Sequence, residues 1–304
     1  MSETDTAVRS AHVGPDPHDI PKGGRSGFVV IDGRQVHYLE WGPSGAPLVV
    51  CLHGGGQTSY MFEELGASLR DRYHVIAPDL PGHGESNPLP NPSEFTREAL
   101  TATLPGLLDE FGAGPAAFVG ASLGGILSLT LAGVAPARVH AIALIDVGHK
   151  LEADGVRRIV EFLSKHESFA SLEEAAQAVA EYTPQRGRVD PERLRRNLRQ
   201  RDDGRWIWKH NLGNLTAERI NDADWESSIV EGLDDELAAI AVPVLVLRGS
   251  ASDVLSSDGA AEIAAKLPDA RLIEVSNAGH LAAGDNPTTT VDLITTFLNE
   301  VMPA

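Results

Sequence analysis

Ala116-Ala117-Phe118-Val119-Gly120-Ala121-Ser122-Leu123-Gly124-Gly125 is the stretch on which the reading of the chain turns. A short apolar run leads into a G-x-S-x-G turn, and a small-residue helical stretch from Leu123 to about Ala135 follows it. A strand-to-helix bend this tight forces its central residue into strained backbone geometry. Small residues two positions to either side are needed where strand and helix cross. Such a bend lifts the Ser122 hydroxyl out of the sheet. It also aims the helix N-terminus, with its free N–H groups, at the same spot. The plainer alternative is that Ser122 merely caps the helix.

Outward from this turn the same unit repeats. Pro47 to Leu52 and Tyr73 to Ala77 precede it. Val139 to Ile145, Val242 to Leu247 and Arg271 to Val275 follow it, the last after a helical stretch at Gly259 to Leu267. Continuous apolar runs suit strands buried on both faces, and their alternation with helical segments predicts a doubly wound, mostly parallel sheet. At the front, Phe28 to Ile31, the Asp32-Gly33 turn and the alternating Val36, Tyr38 and Glu40 predict a hairpin. Residues 1–25, polar and carrying Pro15, Pro17 and Pro21, read as a flexible leader.

The alternation stops in the middle. Core segments are expected over 26–148 and 240–304, with a helical insertion at 149–239 and no strand in it. Val156, Ile159, Val160 and Leu163 repeat at helical spacing, and Ser171-Leu172-Glu173-Glu174 is a capping box. Nine basic residues fall between Arg186 and Lys209, a run that reads as a solvated basic face.

Composition narrows the partners. Lys and Arg number 25 against 43 Asp and Glu, giving a formal charge of −18 that repels phosphate backbones and anionic lipid headgroups. A small-molecule substrate is expected, and neither nucleic acid nor membrane; oligomeric state is not legible. Cys51 is the single cysteine, which excludes an intramolecular disulfide. With no apolar run at the amino terminus, a cytoplasmic address is expected.

A hydroxyl nucleophile needs a base, usually histidine. Of eleven histidines, His280 lies in Asn277-Ala278-Gly279-His280, after the last predicted strand and before the Asn286-Pro287 helix start. That loop belongs to the carboxyl edge of the sheet, where open parallel sheets place their sites. His37, His74 and His140 lie in strand-like runs and read as structural. The carboxylate that orients the base has two candidates, Asp253 after the penultimate strand and Asp146 after the strand that follows Ser122. Asp253 is the expected one, because the order Ser, Asp, His is then kept with the acid on the commoner strand. Donors for an oxyanion are the Leu123 N–H and an N–H of His53-Gly54-Gly55-Gly56.

These features together resemble the α/β-hydrolase superfamily, from about Phe28 to Val301. Asp79-Leu80-Pro81-Gly82-His83-Gly84-Glu85-Ser86 looks like the D-x-x-G-x-G-x-S turn of its members. The resemblance implies a doubly wound, mostly parallel eight-stranded sheet with an inserted helical cap. It further implies Ser122 as nucleophile, His280 as base, Asp253 as acid and the Leu123 and Gly55 amides as oxyanion donors, with Gly54 and Gly56 close competitors. The glycine segment and the Ser122 turn look most like the branch holding small esterases, C–C hydrolases of meta-cleavage products and non-haem haloperoxidases. Haloalkane dehalogenases and epoxide hydrolases of this fold need a carboxylate where Ser122 stands. The implied activity is hydrolysis of a small carboxylic ester or lactone, needing no metal or organic cofactor. C–C hydrolysis of a diketo acid and ligand binding without catalysis are the alternatives. Gly56, Trp206, Trp208 and His149 are the expected pocket residues.

Overall fold

The computed structural model describes residues 20–88, 95–112, 114–184, 189–210 and 229–302. Eight strands form one sheet: β1 (Arg25–Ile31), β2 (Arg34–Trp41), β3 (Leu48–Leu52), β4 (His74–Pro78), β5 (Ala116–Ala121), β6 (Val139–Ile145), and, beyond the insertion with its own β7 (Leu198–Gln200) and β8 (Trp206–Trp208), β9 (Val244–Gly249) and β10 (Ala270–Val275). Their order is β1-β2-β4-β3-β5-β6-β9-β10. From β4 to β10 the pairing is parallel, and β2 runs antiparallel to both β1 and β4.

Alternation along the central strands divides the core in two. Val50, Leu52 and Phe118 pack on one face, where the helix Leu123–Val134 lies. Val49, Cys51 and Val119 pack on the other, with Phe297 and Leu298 of the terminal helix Pro287–Val301. A strand covered on both faces has no polar side to show, which is why these runs are apolar at every position.

The leader expected over 1–25 falls, up to residue 19, outside the described residues. From there the chain is already tied down: the Lys22 N–H donates to Glu63 Oε1 at 2.8 Å and the Trp41 indole donates to the Lys22 carbonyl at 3.1 Å. Between β6 and β9 stand the helices Ala153–Lys165, Leu172–Tyr182 and Pro191–Leu194. Residues 185–188 and 211–228 of the insertion lie outside the described residues. The Ser171 hydroxyl accepts the Glu174 N–H at 3.2 Å, the first half of the capping box, while Glu174 Oε2 reaches back one residue further and accepts the Ala170 N–H.

Two expectations for the insertion need correction. It carries a hairpin, β7 paired antiparallel with β8. Each strand has three residues, too few to show a period-two pattern, and the turn relies on Gly204 at φ 81°. The basic run is a solvated face only in part: Arg193, Arg199, Arg201 and Arg205 are exposed, whereas two of its members turn to the core. Arg196 pairs with the buried Glu63, and Arg193 reaches Glu64 at 3.7 Å. The buried Lys209 meets Glu85 at 2.7 Å, and the Gly84 N–H donates to the Lys209 carbonyl at 2.5 Å. These charges fasten the insertion to the core beside the glycine segment.

Candidate active site

Parallel strands deliver the functional side chains to one edge. β3 ends at Leu52 and runs into His53-Gly54-Gly55-Gly56; β5 ends at Ala121 before Ser122; β6 ends at Ile145 before Asp146; β9 and β10 lead to Ser252 and His280. Ser122 has φ 47° and ψ −116°, a conformation that costs a non-glycine residue about 1–3 kcal/mol and is held by its surroundings. A Cβ at Gly124 would lie 2.0 Å from the Leu52 carbonyl oxygen, and one at Gly120 would lie 2.5 Å from the Gly124 oxygen, so no larger residue fits the crossing. Ser122 occupies the N-cap position, yet its hydroxyl makes no capping hydrogen bond. The capping alternative fails, and the hydroxyl faces a cavity it shares with His280.

His280 and Asp146 are in direct contact. His280 Nδ1 lies 2.9 Å from Asp146 Oδ2, and because a carboxylate only accepts, Nδ1 carries the proton of this bond. Asp146 is wholly buried. Its Oδ1 accepts the Gly249 N–H at 2.7 Å, and its Oδ2 accepts the Ser252 hydroxyl at 2.5 Å. Three donors thus compensate the carboxylate for lost water, as a buried charge requires. Like Ser122, Asp146 sits at positive φ, 51°.

Asp253 is therefore not the partner of His280. Its carboxylate pairs with Arg158 on the helix Ala153–Lys165 and is 40% exposed, placed where an insertion residue neutralises it. The sequence offered two acids after strands; what distinguishes them is that Ser252 and the Gly249 amide close around Asp146.

On the glycine segment, the Gly54 N–H donates to Gln57 Oε1 at 3.1 Å and the Gly56 N–H to His83 Nε2 at 3.1 Å. Gly55 is the segment's remaining amide donor, at the cavity wall with Leu123. Two imidazoles brace this loop against the 79–86 turn. His53 Nε2 accepts the Leu80 N–H at 2.9 Å while its Nδ1 faces the Gly54 carbonyl at 2.8 Å; His83 Nδ1 faces the Pro81 carbonyl at 3.2 Å. Both rings must be neutral to accept an amide proton. Below them, burial works against the Asp79 charge, but the His37 hydrogen bond at 2.7 Å and the Ser59 N–H at 2.7 Å hold its carboxyl well below the usual carboxylate range.

Burial pushes the His53 and His83 pKa values down, the second strongly, and with the neighbouring His53 pulls His210 to about 4. Each ring binds its proton less readily in the folded chain than in the unfolded one. Their contribution to stability is therefore complete above pH about 6.5 and is lost as pH falls below it, the His210 share draining away toward pH about 4. The thermal midpoint is expected to fall through that window, and to fall less steeply in His210→Gln, as read by circular dichroism. A midpoint flat from pH 6.5 to 4.5 would contradict this.

The cavity that joins Ser122 to His280 measures about 210 Å³. Apart from Gln57, Asn197, Tyr182 and the Ser122 and His280 edge, its walls are apolar, with Phe95, Ile159, Phe162 and Trp208 among them. Burial raises the Tyr182 hydroxyl to about 12, so the phenol in this wall is neutral. Of the expected pocket residues, Gly56 and Trp208 line the cavity and Trp206 and His149 do not. Trp206 stacks under the Arg195 guanidinium, 5.0 Å from its centroid, and His149 is buried between Asp234 and Glu262. Gln57 escaped the sequence reading, having no signal there beyond following the glycines. His37, His74 and His140 are structural, bonded to Asp79, Glu40 and the Val301 carbonyl.

Comparison with known proteins agrees with the fold. A sequence model described as alpha/beta hydrolase fold matches residues 47–287. The chain is 28% identical over 275 residues to esterase Rv0045c of Mycobacterium tuberculosis, covering 87% of this chain and 86% of that one. It is 28% identical over 268 residues to a 3-hydroxybutyrate-oligomer hydrolase of Cupriavidus necator, covering 84% and 92%. The crystal structure of an alpha/beta hydrolase from Novosphingobium aromaticivorans superposes with a TM-score of 0.78 at 27% identity, covering 92% of this chain and 99% of that one. An eight-stranded, mostly parallel sheet, a serine on a strained strand-to-helix turn and a family match over most of its length place this chain in the alpha/beta-hydrolase fold family, as a hydrolase enzyme.

Proposed function

We propose that this hydrolase cleaves a small, uncharged carboxylic ester or lactone through an acyl-enzyme on Ser122. The observation that carries the reading is the Asp146–His280 pair converging with an uncapped Ser122 on one apolar cavity. His280 Nε2 takes the Ser122 proton as the oxygen attacks the ester carbon. The negative oxygen that forms settles on the Leu123 and Gly55 amides. The carbon–oxygen bond to the alcohol breaks as His280 returns the proton to the departing oxygen. Water then enters, loses a proton to Nε2, and attacks the acyl-enzyme to release the acid and regenerate Ser122.

Charge discriminates between the readings. A diketo acid brings a carboxylate that wants a cation, and among the described residues no Lys or Arg lines the cavity. The name of one relative, an esterase, supports ester chemistry. A 210 Å³ chamber is smaller than the roughly 300–1,000 Å³ of sites for drug-sized ligands, which suits a short acyl chain. Each buried methylene contributes about 0.8 kcal/mol, so kcat/KM for p-nitrophenyl esters is expected to rise about tenfold from acetyl to butanoyl. It should collapse by decanoyl, where the chain outgrows the chamber. Turnover of a meta-cleavage-type diketo acid above that of every ester and lactone tested would overturn the proposal. So would the absence of any turnover, which would favour a binding role.

A further inference from the structure

A second cavity, about 830 Å³, abuts the first, and the two share Gln57, Leu194, Asn197 and Leu281 as walls. Leu281 follows His280 directly, so the boundary between the cavities passes beside the base. Their linings contrast. The smaller chamber is apolar, whereas the larger cleft carries five carboxylates and two arginines. Both arginines face carboxylates, Arg196 on Glu63 and Arg193 on Glu64, which leaves the cleft with an excess of negative charge.

Gln57 stands where these two environments meet. An amide N–H only donates, so the atom receiving the Gly54 N–H must be the Gln57 carbonyl oxygen, and the carboxamide orientation is fixed. A Cβ at Gly54 would lie 2.7 Å from that oxygen and 3.3 Å from Ser122 Cβ, so the carboxamide oxygen is within 6.0 Å of Ser122 Cβ, and both residues line the smaller chamber. With its oxygen occupied, Gln57 has its NH2 group to offer. Across the boundary Asn197 is held in turn, its Oδ1 accepting the Thr58 hydroxyl at 2.7 Å.

Resting on the ester reading above, we propose that Gln57 is a specificity-determining residue and that the alcohol portion of the substrate is hydroxylated and uncharged. The acyl chain takes the 210 Å³ chamber. The alcohol portion enters the cleft, where the Gln57 NH2 donates to one of its oxygens and the surplus carboxylates repel an anionic group.

The test compares kcat/KM for three butanoyl esters that differ in the alcohol alone: glycerol 1-monobutanoate, ethyl butanoate, and the butanoyl ester of 3-hydroxybutanoate, which is anionic. Wild type should prefer the glycerol ester to the ethyl ester by about tenfold, and the anionic ester should be the poorest. Gln57→Glu keeps an oxygen for the Gly54 N–H but has no donor, so it should erase the preference, as should Gln57→Leu. If Gln57 only props the glycine loop, Gln57→Leu will slow the glycerol and ethyl esters alike, Gln57→Glu will restore both, and the ratio will not move; that result overturns the proposal. Preference for the anionic ester overturns it too. Failure of wild type to cleave all three, together with no Ser122 labelling by a fluorophosphonate, defeats the ester reading itself, whereas cleavage of all three with a ratio indifferent to Gln57 defeats the specificity role alone.

Discussion

Ser122→Ala is expected to lower kcat on p-nitrophenyl butanoate by about 10⁵–10⁶ while leaving the fold intact. The size of the loss follows from the division of labour in the site. In the proposed mechanism, without the hydroxyl there is no acyl-enzyme, and His280 has nothing to deprotonate at the carbonyl carbon. The Leu123 and Gly55 amides and the apolar chamber survive, so a residue of catalysis over water remains. Alanine suits the position poorly in one respect, because φ near 47° strains any residue with a Cβ. It is no worse than serine there, and the thermal midpoint should shift little. Stopped-flow or steady-state release of p-nitrophenol reads the first quantity and a melting curve the second. A variant that melts as wild type and retains more than about a hundredth of its turnover would remove the nucleophile from Ser122.

Asp146→Asn should lower kcat by about 10⁴, because an asparagine can turn its NH2 toward His280 and force the wrong tautomer on the imidazole. In the native site Asp146 Oδ2 receives both the His280 Nδ1 proton and the Ser252 hydroxyl, and Oδ1 receives the Gly249 N–H. Replacing the carboxylate removes the charge that would stabilise the imidazolium formed at each proton transfer. Asp253→Asn breaks the half-exposed pair with Arg158 and touches no part of that chain of contacts. An exposed pair of this kind is worth about 0–1 kcal/mol, and turnover should stay within about threefold of wild type. The paired measurement is informative in either direction: a large loss in Asp253→Asn with little in Asp146→Asn would return the acid to the loop after β9.

Those two aspartates show where the sequence can be read and where it cannot. The Ser122 turn is legible because its constraint is local: Gly120 and Gly124 are demanded by atoms of the same bend and of the adjacent β3. The sheet is legible because β3, β5 and β6 are apolar at almost every position, a consequence of the two covered faces. Loop positions after strands are different. Asp146 and Asp253 both follow apolar runs, and local pattern cannot say which carboxylate a histidine far along the chain will meet. That choice is made by tertiary neighbours, Ser252 and Gly249 closing around one aspartate and Arg158 drawing off the other. His149 was expected at the cavity for its place beyond a strand end, but Asp234 and Glu262 hold it aside. The hairpin of β7 and β8 was hidden by its brevity and by the arginines around it. Arg193 and Arg196 gave no sign of their carboxylate partners, because Glu63 and Glu64 lie more than a hundred residues earlier in the chain.

The central claim is that one serine is made nucleophilic by an imidazole that Asp146 holds in place. It is tested most directly by treating wild type with diethyl p-nitrophenyl phosphate, digesting the protein and mapping the modified peptide by mass spectrometry. A single diethylphosphoryl group on Ser122, formed at a rate that falls by orders of magnitude in His280→Ala and in Asp146→Asn, is the predicted result. Modification at another residue, or at Ser122 with a rate indifferent to both substitutions, would contradict it.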